Sequence, residues 1–136
     1  GWMYAPDSVV DIINRMRSPF NVSYSAIAAG IAATKDDEFL LMSQEHNKKW
    51  LRWTTDNIRA LGLEVPDSVC NFVLVRFPQN QKVDLTAELA DIFLKSKGII
   101  VRRMGGYGLP NALRISIGTG DEMEITVNAL KEFMSH

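Results

Sequence analysis

The sequence has little of what would place it in several large classes of protein. Its 136 residues include a single cysteine, Cys70, so no disulfide can form within the chain. Fifteen basic residues stand against sixteen acidic ones, which leaves no overall field to attract nucleic acid or an anionic membrane. No apolar run approaches the roughly 20 residues that a membrane-spanning helix needs. These absences favour a cytoplasmic protein in which Cys70 is a small core residue.

Metal ligands and targeting signals are also scarce. The two histidines, His46 and His136, lie in the polar middle of a predicted helix and at the last position, and they offer no ligand cluster with the single cysteine. The three tryptophans are interpreted as packing groups rather than a platform for nucleic-acid bases. The first residues lack the basic and apolar segments of a signal peptide. We therefore expect no metal, no nucleic acid and no membrane among the partners.

The pattern of apolar residues predicts helices in the first half of the chain. Residues 1–5 have the character of a strand, as though the chain begins within a sheet. A cap at Pro6-Asp7 and periodic apolar residues predict a helix as far as Met16, and the alanine-rich residues 23–34 predict a second, tightly packed helix. Asp36 or Asp37 is expected to cap a long third helix that ends at Gly62.

The second half alternates between strand and helix patterns. Strands are predicted at residues 71–77, 99–103 and 112–117. A loop is predicted at 79–81 and a helix at 85–95, ended by Gly98. Thr119 and Glu122 have the spacing of a capping box, which predicts the start of a last helix. The pattern indicates an α+β fold, with helices packed on a small, mainly antiparallel sheet.

The strand at 112–117 carries an arginine where the alternation points away from the core. Leu113 and Ile115 fall on one face, whereas Arg114 falls on the other. The neighbouring strand ends in Arg102-Arg103, so one arginine of that pair shares a face with Arg114. Two converging guanidinium groups repel each other unless an anion lies between them, and arginine binds carboxylate or phosphate bidentately. An anion site is one interpretation; the other is a solvated arginine beside a flexible glycine-rich connection.

Two segments resemble a known family. Residues 98–124, GIIVRRMGGYGLPNALRISIGTGDEME, closely resemble the C-terminal lobe of histidinol-phosphate aminotransferases, members of the fold-type I aminotransferase family. Residues 15–33, RMRSPFNVSYSAIAAGIAA, are similar to a segment of the same family, and the resemblance spans essentially the whole chain. It implies that residues 1–35 are a remnant of the large, cofactor-binding domain. Residues 36–62 would then be an interdomain helix, and residues 63–136 the small C-terminal domain.

The resemblance also implies roles for individual residues. Arg114, in LRISIGT, matches the family arginine that binds the anionic group of the substrate. That group is the α-carboxylate of glutamate in one half-reaction and the phosphate of histidinol phosphate in the other. Arg102, in GIIVR, matches the second arginine of the phosphate site, and we assign Arg103 to the outer face. Tyr107 and Asn21 lie in family-like segments and are expected to border the site.

The activity implied by the resemblance is a pyridoxal-phosphate-dependent transamination in histidine biosynthesis. Its partners are small molecules, a phosphorylated amino alcohol and glutamate, and the family enzyme is expected to be a homodimer. In the family the Schiff-base lysine and the other cofactor-binding residues lie upstream of Gly1. We therefore expect no catalytic or cofactor-binding residue in this chain, no bound pyridoxal phosphate, no activity of the chain alone, and self-association of its uncovered apolar faces.

Two kinds of alternative remain. A related decarboxylase or aromatic aminotransferase of the same fold would use an arginine at the position of Arg114, and a threonine-phosphate decarboxylase would also need Arg102. The other alternative is a stand-alone regulatory module, in which residues 71–136 bind an anionic metabolite through these two arginines.

Overall fold

The computed structural model describes residues 3–78 and 85–135. Within these ranges, three helices are followed by a strand, a fourth helix, two further strands and a fifth helix. None of these helices is long and apolar enough to cross a membrane. The chain divides into two compact units, residues 1–40 and 41–136.

The first unit contains two helices and the beginning of a third. α1 spans Asp7–Met16 and α2 spans Tyr24–Ala33, while α3 spans Asp37–Ala60. The hydroxyl oxygen of Ser23 caps α2 by accepting a hydrogen bond from the backbone N–H of Ala26 at 3.2 Å. The helical segments predicted for this part of the chain are therefore confirmed.

Two other expectations for this unit are wrong. Residues 3–5 form no strand, and Gly1 and Trp2 lie outside the described residues. No residue of α1 or α2 is buried, so α2 is not the tightly packed helix that its alanines suggested. A strand needs a hydrogen-bonding neighbour, and small side chains pack only where a second element approaches them. Both properties depend on contacts that the local sequence does not specify.

The long helix α3 is confirmed, and its ends show why it starts and stops where it does. The carboxylate of Asp36 accepts a hydrogen bond from the Phe39 N–H at 2.9 Å, which caps the first turn. After the helix the chain turns at Gly62, whose φ of +83° lies in the left-handed region where a side chain would be strained. Within the second unit, Thr54 and Ile58 of α3 are buried.

The second unit contains the sheet. Its strands are β1 (Phe72–Arg76), β2 (Arg102–Arg103) and β3 (Ala112–Ser116). Their order in the sheet is β1-β3-β2, and β3 is antiparallel to both neighbours. The predicted small antiparallel sheet is therefore confirmed, and β1 and β3 end within one residue of their predicted limits.

β2 is shorter than the strand predicted at 99–103. α4 (Ala87–Ser96) ends in a turn in which Gly98 has a φ of +79°, and the Ile99 N–H donates to the Leu94 carbonyl oxygen at 2.9 Å. Because this N–H completes the end of the helix, Ile99 is not free to donate to β3. The hydrogen bonding that closes α4 therefore delays the start of the strand.

α4 and α5 (Gly120–Met134) contribute side chains to a single core on one face of the sheet. The predicted alternation of β3 is confirmed, since Leu113 and Ile115 are buried and Arg114 is not. The loop predicted at 79–81 lies outside the described residues. The largest fully buried apolar side chains come from five elements and are those of Ile58, Val73, Val75, Leu94, Leu113 and Leu130.

Close contacts fix the start of α5. Thr119 and Glu122 form the predicted capping box, in which the Thr119 N–H donates to the Glu122 carboxylate at 2.8 Å. Trp50 of α3 lies against Gly120, where an added Cβ would come within 2.3 Å of the indole ring. A side chain at this position would force Trp50 to move, so the contact between α3 and α5 requires a glycine.

Cys70 is exposed, and its prediction as a core residue is wrong. It lies in a bend before β1 begins, where its N–H donates to the hydroxyl oxygen of Ser68 at 3.1 Å. The alternation that buries Val73 and Val75 starts only with the strand, so it does not extend back to this cysteine.

Candidate anion-binding site

Two arginines lie side by side on the face of the sheet opposite the helices. In the register of β2 and β3, Arg102 is directly opposite Arg114. Opposed side chains on antiparallel strands leave the sheet on the same face, with Cβ atoms roughly 4.5–5.5 Å apart. Leu113 and Ile115, on either side of Arg114, are buried on the other face. The strand pattern thus brings two positive charges to one place.

The surroundings of Arg114 leave part of its guanidinium group without a partner. Its Nε is buried and meets no hydrogen-bond acceptor among the residues that the structure describes. On β1, the ring centroid of Phe72 lies 5.1 Å from Arg114 Cζ, which is a cation–π distance. A buried donor without an acceptor is unfavourable unless a ligand supplies one. The geometry at Arg114 and Arg102 therefore fits an anion.

Arg103 does not join this pair. Its register partner is Leu113, and its Nη1 donates to Glu88 Oε1 of α4 at 2.7 Å. It therefore lies at the sheet edge on the helix-covered face, and its assignment to the outer face is wrong. Consecutive strand residues point to opposite faces, so the register that turns Arg102 towards Arg114 turns Arg103 away.

A cleft of about 620 Å³ opens beside the two arginines. β2 pairs with only two residues of β3, and the cleft is lined by the residues that precede β2, 98–101, and by the end of β3. Its lining includes Arg102 and Arg114 together with residues of α5 such as Glu122 and Ile125. A cleft of this composition suits a small molecule that has an anionic end and an apolar body.

Glu122 places a fixed negative charge in the lining of this cleft. The Thr119 backbone N–H, and secondarily the Thr119 hydroxyl, donate to its carboxylate and hold the pKa of Glu122 below its ordinary value of 4.5. The group is therefore ionised at neutral pH. Gly118 makes room for it, because a Cβ there would lie 2.4 Å from Glu122 Oε2.

We expect Glu122→Gln to remove an acid-dependent part of the stability. A carboxylate whose pKa is lowered in the folded state stabilises the protein above the unfolded-state value, and this contribution is lost as pH falls through the folded-state pKa. Glutamine keeps the capping-box contacts without a titrating group. In urea titrations at a series of pH values, the stability difference between wild type and variant should shrink below about pH 4.5. A difference that stays constant in acid would contradict this.

The other two predicted site residues lie elsewhere in their units. Tyr107 ends a short 3₁₀ helix, Gly105–Tyr107, in the connection between β2 and β3, and its side chain is exposed. Asn21 belongs to the first unit, where its Oδ1 accepts a hydrogen bond from Arg17 Nη1 at 2.7 Å. Both remain predictions, and the pair that the structure brings together is Arg102 with Arg114.

Sequence reasoning missed the contact that His46 makes. The sequence placed His46 only in the polar middle of a helix, but its Nε2 lies 2.8 Å from the carbonyl oxygen of Gly118. The imidazole therefore links α3 to the connection between β3 and α5, next to the cleft. His46 and Trp50 are four residues apart and share one face of α3. That spacing, in an otherwise polar stretch, was the available signal for a packed face.

Two lysines of the second unit are held in ion pairs by neighbouring carboxylates. A lysine that forms a Schiff base must be free to lose its proton and to reach the substrate. Lys97 lines the cleft, but both carboxylate oxygens of Glu132 bind its Nζ, at 2.8 and 3.0 Å. Lys95 forms an ion pair with Asp91 at 2.7 Å. In the described part of the chain, no three His, Cys, Asp or Glu side chains cluster in a way that would hold a metal ion.

Known sequences are similar to this chain over nearly its whole length. The model of the family described as aminotransferase class I and II matches residues 1–130. The histidinol-phosphate aminotransferase of Paramagnetospirillum magneticum is 53% identical over 134 residues, and that of Nitrobacter hamburgensis is 45% identical over 135 residues. These matches cover 98% and 99% of the chain but only 36% of each relative. The chain thus spans about a third of the length of these curated relatives.

Solved structures share its fold. A crystal structure from Burkholderia pseudomallei, described as that of an aminotransferase, matches with a TM-score of 0.80 and 29% identity over 95% of this chain and 38% of that one. A decarboxylase from Sulfurospirillum multivorans matches with a TM-score of 0.73 and 22% identity over 93% of this chain and 36% of its own, which shows the fold alone. Because the family model covers almost every residue, the chain belongs to the class I and II aminotransferase family.

Proposed function

We propose that this chain forms the substrate-anion-binding part of a histidinol-phosphate aminotransferase, an enzyme of histidine biosynthesis. The observation that carries the proposal is the pairing of Arg114 with Arg102 on one face of the sheet, with Arg114 Nε buried and without an acceptor among the described residues. The names of the curated relatives support the choice of activity. The complete enzyme would exchange an amino group between histidinol phosphate and 2-oxoglutarate.

Two guanidinium groups suit the two substrates of this reaction. Arg114 would bind the α-carboxylate of glutamate in one half-reaction and the phosphate of histidinol phosphate in the other. A phosphate carries more charge than a carboxylate and has three oxygens that accept hydrogen bonds, so it makes use of a second guanidinium from Arg102. In this proposal Arg114 serves both substrates, whereas Arg102 favours the phosphorylated one.

The proposed enzyme requires pyridoxal phosphate, which supplies the electron sink for bond changes at the amino-bearing carbon of the substrate. By resemblance to the family, we propose that the Schiff-base lysine lies in the part of the enzyme that this chain does not span. The residues of this chain would bind the substrate anion and orient the rest of the substrate. The chain alone is therefore proposed to be inactive.

The assembly of the complete enzyme is also a proposal. We assign residues 1–35 to the large domain, residues 36–62 to an interdomain helix and residues 63–136 to the small domain. We further propose that the enzyme is a cytoplasmic homodimer that binds small molecules. The exposed apolar side chains of α1, such as Ile13 and Met16, support the idea that this part is covered by more protein, and the isolated chain should self-associate through them.

An activity assay of the full-length protein with two substrates that differ only in the phosphate tests the proposal. We expect glutamate to form from 2-oxoglutarate and histidinol phosphate, and at least about a hundredfold less efficiently from histidinol, because charge-assisted contacts of about 1.5–3 kcal/mol each are lost. Measuring glutamate release with each substrate gives this ratio.

Other outcomes of the same assay would support the alternatives. Histidinol phosphate has no carboxylate, so a decarboxylase of the same fold would form no glutamate here and would instead release carbon dioxide from an amino acid such as threonine phosphate. Phosphate binding without turnover of either substrate would favour the stand-alone anion-sensing module. Equal efficiency with histidinol and histidinol phosphate would contradict the role proposed for Arg102.

A further inference from the structure

We propose that Phe72 is a positioning residue of the anion site, and that its ring holds the guanidinium group of Arg114 beside Arg102. The inference rests on the proposed function of the two arginines. It adds a residue from β1, the strand on the opposite side of β3 from β2.

The register places Phe72 on the face that carries the arginines. Phe72 is the first residue of β1 and pairs with Ser116, while Leu74 pairs with Arg114. Phe72 is thus a diagonal neighbour of Arg114, and diagonal neighbours on antiparallel strands lie within reach of an aromatic side chain. The distance from Arg114 Cζ to the ring centroid is 5.1 Å. β1 is anchored by Val73, which is fully buried and follows Phe72 directly.

Arg114 needs such a contact because it lies next to a like charge. Arg102 is directly opposite in the register, and opposed like charges on a sheet repel each other. No described acceptor binds Arg114 Nε. The face of the Phe72 ring attracts the cation and offers no ordinary hydrogen-bond acceptor, so the N–H donors stay available for an anion. The ring therefore stabilises the position of Arg114 without competing with the substrate.

Three variants of the full-length protein isolate this role. Phe72→Leu removes the ring and keeps an apolar side chain, and Phe72→Met replaces it if the leucine variant does not fold. Phe72→Tyr keeps the ring. The matched control is Phe93→Leu, which removes a half-buried ring that packs against Phe133 in the core, on the other face of the sheet from the two arginines.

We expect Phe72→Leu to weaken the binding of inorganic phosphate, measured by calorimetric titration, by about three- to tenfold. The KM values for histidinol phosphate and for glutamate should rise in the same proportion, since Arg114 serves both, while kcat stays within about twofold. A purely structural role would instead lower the fraction of active enzyme, and so kcat, without changing KM. Phe72→Tyr should restore the wild-type values, and Phe93→Leu should leave phosphate affinity unchanged.

Unchanged phosphate affinity in Phe72→Leu, or an equal loss in Phe72→Tyr, would overturn the role of Phe72. Arg114→Gln, included in the same titration, separates this failure from a failure of the proposed function. If Arg114→Gln binds phosphate as tightly as the wild type, the anion site itself is wrong. If Arg114→Gln loses phosphate and Phe72→Leu does not, only the positioning role is refuted.

Discussion

Replacing Arg114 with glutamine should lower kcat/KM of the full-length enzyme by about a hundredfold or more for both of its substrates. The guanidinium group is proposed to bind the carboxylate of one substrate and the phosphate of the other, each through charge-assisted hydrogen bonds of about 1.5–3 kcal/mol. Glutamine is polar but uncharged and cannot present a bidentate pair of donors. Steady-state kinetics with histidinol phosphate and with glutamate measure the two losses.

Two neighbouring arginines provide the controls for this variant. Arg102→Gln should impair the reaction of histidinol phosphate and spare that of glutamate, because Arg102 is proposed to contact only the phosphate. Arg103→Gln should leave both reactions near the wild-type rate, since its half-exposed ion pair with Glu88 is worth about 1 kcal/mol or less. Equal losses in Arg102→Gln and Arg103→Gln would contradict the choice that the strand register makes between them.

Replacing Leu113 with alanine should lower the free energy of unfolding by about 2–5 kcal/mol. Leu113 is fully buried in the central strand, where its side chain belongs to a core shared by β1, α4 and α5. Truncation removes apolar contacts and leaves a cavity. The central strand is held between two hydrogen-bonded neighbours and cannot easily move to close it. Urea titration followed by tryptophan fluorescence, to which the core-packed Trp53 contributes, measures the change.

Ile125→Ala is the matched control for the core variant. Ile125 is 57% exposed on α5, so its truncation should cost less than about 1 kcal/mol. Similar costs for the two truncations would contradict the core as described. Because Leu113 and Arg114 are consecutive on β3, Leu113→Ala should also loosen the site. We expect it to raise KM, but by less than Arg114→Gln does.

The features that the sequence predicted well are those that local chemistry determines. The capping box of Thr119 and Glu122 needs only its own four residues, and the structure forms it. The alternation of β3 needs only a strand with one buried face, and it placed Leu113 and Arg114 on opposite sides. The long helix α3, which begins at a capping residue, is also determined by local chemistry.

The features that were missed depend on contacts between distant segments. Cys70 was expected in the core, but β1 begins two residues after it and the preceding bend is exposed. The side on which Arg103 lies follows from its register with β3 and from Glu88 of α4, neither of which a single strand pattern reveals. The link from His46 to Gly118 joins residues 72 positions apart. For each, the partner had to be known before the residue could be placed.

A crystal structure of the full-length protein with histidinol phosphate bound tests the anion site most directly. We predict phosphate oxygens about 2.7–2.9 Å from guanidinium nitrogens of both Arg114 and Arg102, with the ring of Phe72 still beside Arg114. A phosphate held by other residues, with Arg102 and Arg114 both turned towards solvent, would contradict the account.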